Sequence, residues 1–167
     1  MAFDVDGTLT AGGIRIAADG ELYKSFSVRD GFGLALLRDA GIEVALVTGR
    51  SSPIVDARAR ELRIATVLQA VPDKGDAMRR LCAQRGLSLE QAGFMGDDWP
   101  DLPAMRAVGF AATVADAAQP VRALAHWVAS APAGAGAARE LAEFVLRAQN
   151  RFDALLARYA GEDTGVR

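Results

Sequence analysis

Two aspartates stand one residue apart near the start of the chain, Asp4 and Asp6 in MAFDVDGTLT, and two more are adjacent later, Asp97 and Asp98 in GFMGDDWPD, with Asp101 close behind. Carboxylates this close repel one another unless a cation or hydrogen-bond donors compensate. Two further polar groups follow apolar runs: Thr48-Gly49-Arg50 after VALV, and Lys74 just beyond VLQAV. Hard carboxylate oxygens suit Mg2+, which keeps several waters and is commonly held by one or two carboxylates plus a substrate phosphate. The set therefore points to phosphoryl transfer. In such a reaction one carboxylate would attack phosphorus to form an aspartyl-phosphate while a second protonates the leaving oxygen. Thr48 and Lys74 hold and neutralise the phosphoryl oxygens as charge spreads over them. Taken singly, each group has an ordinary explanation, since DxDG is turn chemistry and a lone lysine is usually a solvated surface residue. Their joint placement carries the argument.

That placement follows from alternating elements. The opening residues read as a strand, and Ile14–Val28 has β-prone runs on either side of Asp19-Gly20, the composition of a hairpin. GFGLALLRDAG is a helix stopping at Gly41, EVALVTGR a buried strand, SPIVDARARELRI a helix and ATVLQAV a strand. Asp73 caps a helix that ends at Gly86; AGFMGDD is a strand, PDLPAMRAV a short helix, GFAATV a strand and HWVAS a sixth. One long amphipathic helix is expected from about Ala137 to Tyr159. Such alternation implies an α/β fold, a Rossmann-like three-layer sandwich around a mostly parallel sheet. All four polar groups then lie at carboxyl ends of strands, on the one sheet edge where ligand sites form.

Composition sets the outer bounds. The chain has 167 residues, 51% of them hydrophobic and 24% charged, a size that suits one domain, read as residues 1–160 with a flexible tail at 161–167. Its 19 basic and 21 acidic residues leave a net charge of −2 with no like-charge run to track a phosphate backbone, so nucleic acid is not an expected partner. Cys82, the one cysteine, reads as a small core residue in a reducing compartment. No apolar stretch approaches the roughly 20 residues that span a bilayer, so no membrane association and a cytoplasmic location are expected. His126 and the pair Phe144 and Phe152, eight residues apart, are read as structural.

FDVDGTLT, VTG, Lys74 and GDDWPD together resemble the four ordered motifs of the haloacid dehalogenase superfamily of phosphatases. The resemblance implies Asp4 as nucleophile, Asp6 as general acid and base, and Thr48 and Lys74 on the phosphoryl group. It implies Mg2+ held by Asp4, Asp97 and the backbone carbonyl of Asp6, with Asp98 and Asp101 supporting the site through water or hydrogen bonds. Asp4 and Thr48 are 44 residues apart and Thr48 and Lys74 are 26 apart, which leaves room for a hairpin, helices and a strand but not for a cap domain. A capless site works openly, acts on a large substrate or borrows a neighbour's surface.

Over nearly its whole length the sequence is similar to the 3-deoxy-D-manno-octulosonate 8-phosphate phosphatase family, through FSVRDGFGLALL, VTGRSS, GDDWPDLPAMRAVGF and GAARELAEFVLRAQ. This implies a Mg2+-dependent cytoplasmic enzyme of lipopolysaccharide precursor synthesis, a homotetramer joined through the 14–28 hairpin. Arg50 then contacts a substrate anion with Gly49 beside it, and Arg58 is offered to an adjacent subunit's site. Guanidinium groups suit a sugar acid's carboxylate and phosphate.

Three departures bear on the substrate: Ala70, Val71 and Pro72 where relatives carry small and polar residues, Ala135 in place of an arginine between Gly134 and Gly136, and an opening strand shorter than usual, as if abbreviated or begun late. A nonulosonate 9-phosphate phosphatase is the nearest rival. A phospho-accepting receiver domain gathers its acidic pair early and its acceptor later, the reverse of the order here. A non-catalytic phosphatase-like tetramerisation module typically loses catalytic aspartates, which this chain retains.

Overall fold

The computed structural model describes residues 1–18 and 20–161. Its strands are β1 (Ala2–Phe3), β2 (Arg15–Ala17), β3 (Gly20–Tyr23), β4 (Ala45–Val47), β5 (Thr66–Leu68), β6 (Gly93–Met95), β7 (Phe110–Thr113) and β8 (Trp127–Val128). Six of them form one sheet in the order β5-β4-β1-β6-β7-β8, every pair parallel. Strand direction from β1 runs outward through β4 to β5, then returns to β6 on the other side, so the topological switch lies between β1 and β6. Ligands bind at such a switch, beyond the carboxyl ends of the strands.

Side chains along a strand point alternately to opposite faces, and here they separate two cores. Phe3, Leu46, Met95 and Ala112 face α1 (Val28–Asp39), α2 (Pro53–Glu61) and α6 (Ala137–Ala148). Ala2, Ala45, Val47, Phe94 and Ala111 face α3 (Lys74–Arg85), α4 (Leu102–Ala107) and α5 (Gln119–Leu124). The three-layer α/β expectation therefore holds. Between β1 and α1 the described residues form the hairpin β2–β3, with Gly20 at φ +129° opening β3. Among the described residues no helix is long and apolar enough to cross a membrane.

Several boundaries differ from the sequence expectation. α1 begins at Val28 rather than near Gly31, because Ser27 caps it by accepting from the Asp30 N–H. α5 was not foreseen; its six residues carry little periodicity. The expected long helix from Ala137 to Tyr159 is two helices, α6 and α7 (Phe152–Ala160). Asn150 takes a left-handed φ of +54°, its N–H bonds Arg147 O, and the Arg151 N–H bonds Leu146 O, a closed helix terminus. Phe144 and Phe152 thus sit on different helices: Phe144 stacks on Trp127 and Phe110, while the Arg147 guanidinium covers Phe152. His126 is structural, as expected, its Nδ1 accepting from the Ala111 N–H at 2.9 Å while its own N–H bonds Ala111 O. Cys82 is buried on α3. The turn residue Asp19, and all but the first residue of the expected tail 161–167, lie outside the described residues.

Candidate active site

β1 delivers Asp4 to the centre of the sheet edge, where the Asp4 N–H continues the pairing with β6 through Met95 O at 2.9 Å. Gly7 then turns the chain at φ +95°. A side chain there would meet Asp97 Oδ2 at 2.2 Å, so only glycine lets the loop after β1 lie against the loop after β6. Thr8, fully buried, uses this proximity to donate to Asp97 Oδ1 at 2.9 Å.

Lys74 enters as the first residue of α3, which Asp73 caps by accepting from the Asp76 N–H. Its ammonium donates to Asp4 Oδ1 at 2.5 Å and to Asp101 Oδ1 at 2.6 Å, and all three side chains are almost completely buried. The other oxygen of Asp101 accepts from the N–H groups of Asp97 and Asp98, which folds the GDDWPD loop around it. Asp101 is therefore fully engaged by the protein. Among the described residues no hydrogen bond engages Asp4 Oδ2 or Asp97 Oδ2.

Oxygens of Asp4, Asp97 and Asp101 lie within 4.8 Å of one another. Burial, with repulsion from Asp101, pushes the Asp4 carboxyl up to about 8 despite the opposing Lys74 charge. Burial also pushes Asp97 up to about 6, against the lowering effect of the Thr8 hydrogen bond, with Asp101 and Asp98 adding repulsion. Lys74 is held above an ordinary lysine: burial works against its charge, but Asp4 and Asp101 outweigh it. When all three carboxyls are ionised, they and the one ammonium leave two net negative charges, and two oxygens stand free in one place, a donor set suited to a divalent cation that would offset that charge.

The remaining expected residues divide into those at this site and those elsewhere. Thr48 is buried at the end of β4, its N–H on Leu68 O and its hydroxyl accepting from the Arg50 N–H, which leaves the hydroxyl proton free to donate. Gly49 is exposed beside it, with Val71 O at 3.7 Å as the nearest atom to a would-be side chain. Arg50 is half-exposed, and its Nε lies 3.9 Å from Asp6 Oδ2. Asp6 stands at the inner end of the hairpin, paired with Lys24. Asp98 is exposed, and its main-chain carbonyl accepts from the Asp101 N–H at 2.9 Å, closing the turn Trp99–Asp101. Arg58 is not brought to the acidic cluster within the single chain: it bonds Ser27 O and Glu61 and covers the Phe26 ring. Ala70, Val71 and Pro72 line a cavity of about 510 Å³ outside β5 and α3 that includes none of the acidic cluster. Ala135 is exposed next to Gly134, whose N–H bonds Thr8 O.

Sequence reasoning did not single out Thr8, Glu21 or Lys24. For Thr8 the signal was its place directly after the turn glycine, and for the other two it was opposite charges three residues apart in an otherwise β-prone run.

Comparison with known proteins agrees with this geometry. A family profile described as haloacid dehalogenase-like hydrolase matches residues 14–109. The 3-deoxy-D-manno-octulosonate 8-phosphate phosphatase of Haemophilus influenzae is 43% identical over 148 residues, covering 89% of this chain and 82% of that protein. The enzyme of the same name from Yersinia pestis is 38% identical over 150 residues, covering 90% and 80%. The crystal structure of the Moraxella catarrhalis enzyme in complex with magnesium ion, phosphate ion and a KDO molecule superposes with a TM-score of 0.91 at 42% identity, covering 95% of this chain and 91% of that one. The cobalt-bound form of the Haemophilus influenzae phosphatase gives 0.89 at 41% identity, covering 92% and 90%. With its acidic cluster at the sheet switch and this likeness along most of its length, the chain belongs to the 3-deoxy-D-manno-octulosonate 8-phosphate phosphatase family of haloacid dehalogenase-like hydrolases.

Proposed function

We propose that this chain is a Mg2+-dependent phosphomonoesterase that releases phosphate from 3-deoxy-D-manno-octulosonate 8-phosphate through an aspartyl-phosphate on Asp4, within one domain spanning residues 1–160. The observation that carries this reading is the bond from Lys74 to Asp4 at the sheet switch, beside Asp97 and with one oxygen of each carboxylate left free.

In the first half-reaction Asp4 attacks phosphorus, the bond from phosphorus to the sugar oxygen breaks, and that oxygen takes its electron pair and the proton of Asp6. In the second, Asp6 takes a proton from water, the water oxygen attacks phosphorus, and the bond to Asp4 breaks, which restores both carboxyl groups. Lys74 and the Thr48 hydroxyl hold the phosphoryl oxygens through both steps, and Arg50 at the mouth receives the sugar acid's carboxylate. Asp4, Asp97 and the main-chain carbonyl of Asp6 would hold Mg2+, with exposed Asp98 supporting it through water. The ion, when bound, neutralises charge on the phosphoryl group.

The reading includes a cytoplasmic place in lipopolysaccharide precursor synthesis. It also includes a homotetramer built through the 14–28 hairpin, in which Arg58 serves an adjacent subunit's site. Exposed Ile16, Leu22 and Tyr23 on the hairpin support that assembly.

Steady-state phosphate release over a panel of sugar-acid phosphates, with Mg2+, tests the reading. The octulosonate 8-phosphate is expected to give the highest kcat/KM, and Asp4→Asn to abolish turnover. A higher kcat/KM on a nonulosonate 9-phosphate would transfer the assignment to that substrate, and full activity in Asp4→Asn would sink the mechanism.

A further inference from the structure

Lys24 lies just past the end of β3, in a hairpin whose large apolar side chains Ile16, Leu22 and Tyr23 are exposed, yet its own side chain is only 2% exposed. Its ammonium is taken up by two carboxylates, donating to Asp6 Oδ1 and pairing with Glu21 Oε1 at 2.8 Å. Glu21 in turn accepts at Oε2 from the Ser52 hydroxyl, and Ser52 caps α2. A single line of polar contacts thus runs from the active-site loop through the hairpin to the helix after β4.

The two oxygens of Asp6 are not equivalent in this setting. Oδ1 faces the ammonium, and Oδ2 is buried with no hydrogen-bond partner among the described residues, Arg50 Nε standing 3.9 Å away. A lysine ammonium has three donors and no acceptor. A proton on Asp6 therefore cannot sit on Oδ1 without facing another donor. It is confined to Oδ2, the oxygen that no protein donor engages among the described residues.

We infer that Lys24 is a positioning residue for proton transfer: by occupying Asp6 Oδ1 it assigns the transferred proton to Oδ2 and fixes that oxygen toward the leaving group. The inference rests on the reading of Asp6 as the general acid and adds the residue that aims it. Glu21 and Ser52 hold the lysine in place from the other side.

A general acid matters most when the leaving group is poor, and proton transfer of this kind is worth about 10²–10⁴-fold. The test compares kcat/KM, which reports the step that forms the aspartyl-phosphate, on an alkyl sugar-acid phosphate and on p-nitrophenyl phosphate, whose leaving group needs no proton. Lys24→Gln, which gives Asp6 an acceptor as well as a donor, and Lys24→Met are expected to lose at least about 30-fold on the alkyl ester and far less on the aryl ester. Lys24→Arg, which keeps a donor-only cation, is expected to retain most of the wild-type ratio between the two substrates. Equal losses on both esters, or no loss, overturn the inference, as does a wild-type ratio in Lys24→Gln. If Lys24→Met does not fold, Lys24→Gln and Lys24→Arg decide. Asp6→Asn provides the reference. If it discriminates between the esters and Lys24→Gln does not, only the role of Lys24 falls; if Asp6→Asn does not discriminate, the general-acid reading falls with it.

Discussion

Thr8 and Asp97 are joined across 89 residues of sequence by one hydrogen bond of 2.9 Å, from the threonine hydroxyl to Oδ1, which reserves Oδ2 of the aspartate for something other than protein. Partners of this kind orient ligand carboxylates, and their loss typically costs 10–100-fold in metal affinity. Thr8→Val keeps the shape of the buried side chain and removes the donor. Its Mg2+ dissociation constant, read by calorimetric titration, is expected to rise by about 10–100-fold, with Thr8→Ser close to wild type. Unchanged affinity in Thr8→Val would show that Asp97 needs no such orientation.

The raised carboxyl groups make stability depend on pH in a definite sense. Asp97 and Asp4 titrate near 6 and 8 in the folded chain instead of near 3.8, so without metal the folded state holds protons that the unfolded chain has released. Stability from these groups is full below the ordinary value and is lost as pH rises through about 6 and then about 8. A divalent cation supplies the missing positive charge in that upper range. The increase in Tm on adding saturating Mg2+ to chelator-treated protein is expected to be larger at about pH 8 than at about pH 5. An equal or smaller increase at the higher pH would contradict the charge balance described for the site.

Ala70 lies between the loops that carry Thr48 and Lys74 and has a left-handed φ of +52°. Its N–H bonds Arg50 O, and the next residue's N–H bonds Thr48 O, so the strained residue is held by the loop it helps to shape. A left-handed L-residue costs about 1–2 kcal/mol, and part of that is returned when glycine, with its freer unfolded chain, takes the position. Ala70→Gly is expected to stabilise the protein by up to about 1 kcal/mol, a rise of roughly 2–4 °C in Tm, with kcat unchanged. A fall in Tm would refute this.

Asp30, in the first turn of α1, is buried and accepts from the N–H groups of Gly136 and Arg139 at the start of α6, at 3.1 and 3.0 Å. Removing it leaves two donors without a partner at a buried helix N-terminus. Asp30→Ala is expected to cost about 1–3 kcal/mol in denaturant unfolding. A loss under half a kilocalorie would mean that water replaces the carboxylate.

The sheet and the core of the site were legible because periodicity and punctuation agreed along most of the chain. MAF, VALV, VLQAV and AGFM are each followed within three residues by a polar side chain that the parallel topology carries to the same edge, which is why Asp4, Thr48, Lys74 and Asp97 could be grouped from the sequence. What escaped depends on contacts between distant residues. Nothing in DGTLT announces that Thr8 reaches Asp97, and nothing in GELYK announces that Lys24 folds inward onto Asp6. Asp101 could be seen as acidic but not as an acceptor for two backbone N–H groups and the Lys74 ammonium. The break at Asn150 was hidden because amphipathic periodicity continues on both sides of it; asparagine is a weak signal for a left-handed residue, and no glycine marks the spot.

The contact between α1 and α6 also bears on the order in which the molecule assembles. At Gly33 a side chain would lie 2.8 Å from the Arg139 Cα, so the two helices meet backbone to backbone, and Asp30 ties their starts together over more than a hundred residues. α1 and α2 cover only part of this face of the sheet, and the rest stays uncovered until α6 arrives. During synthesis, then, the candidate site residues from Asp4 to Asp101 precede the helix that completes the layer over their strands. Contacts this distant in sequence slow folding and prolong the exposure of apolar surface.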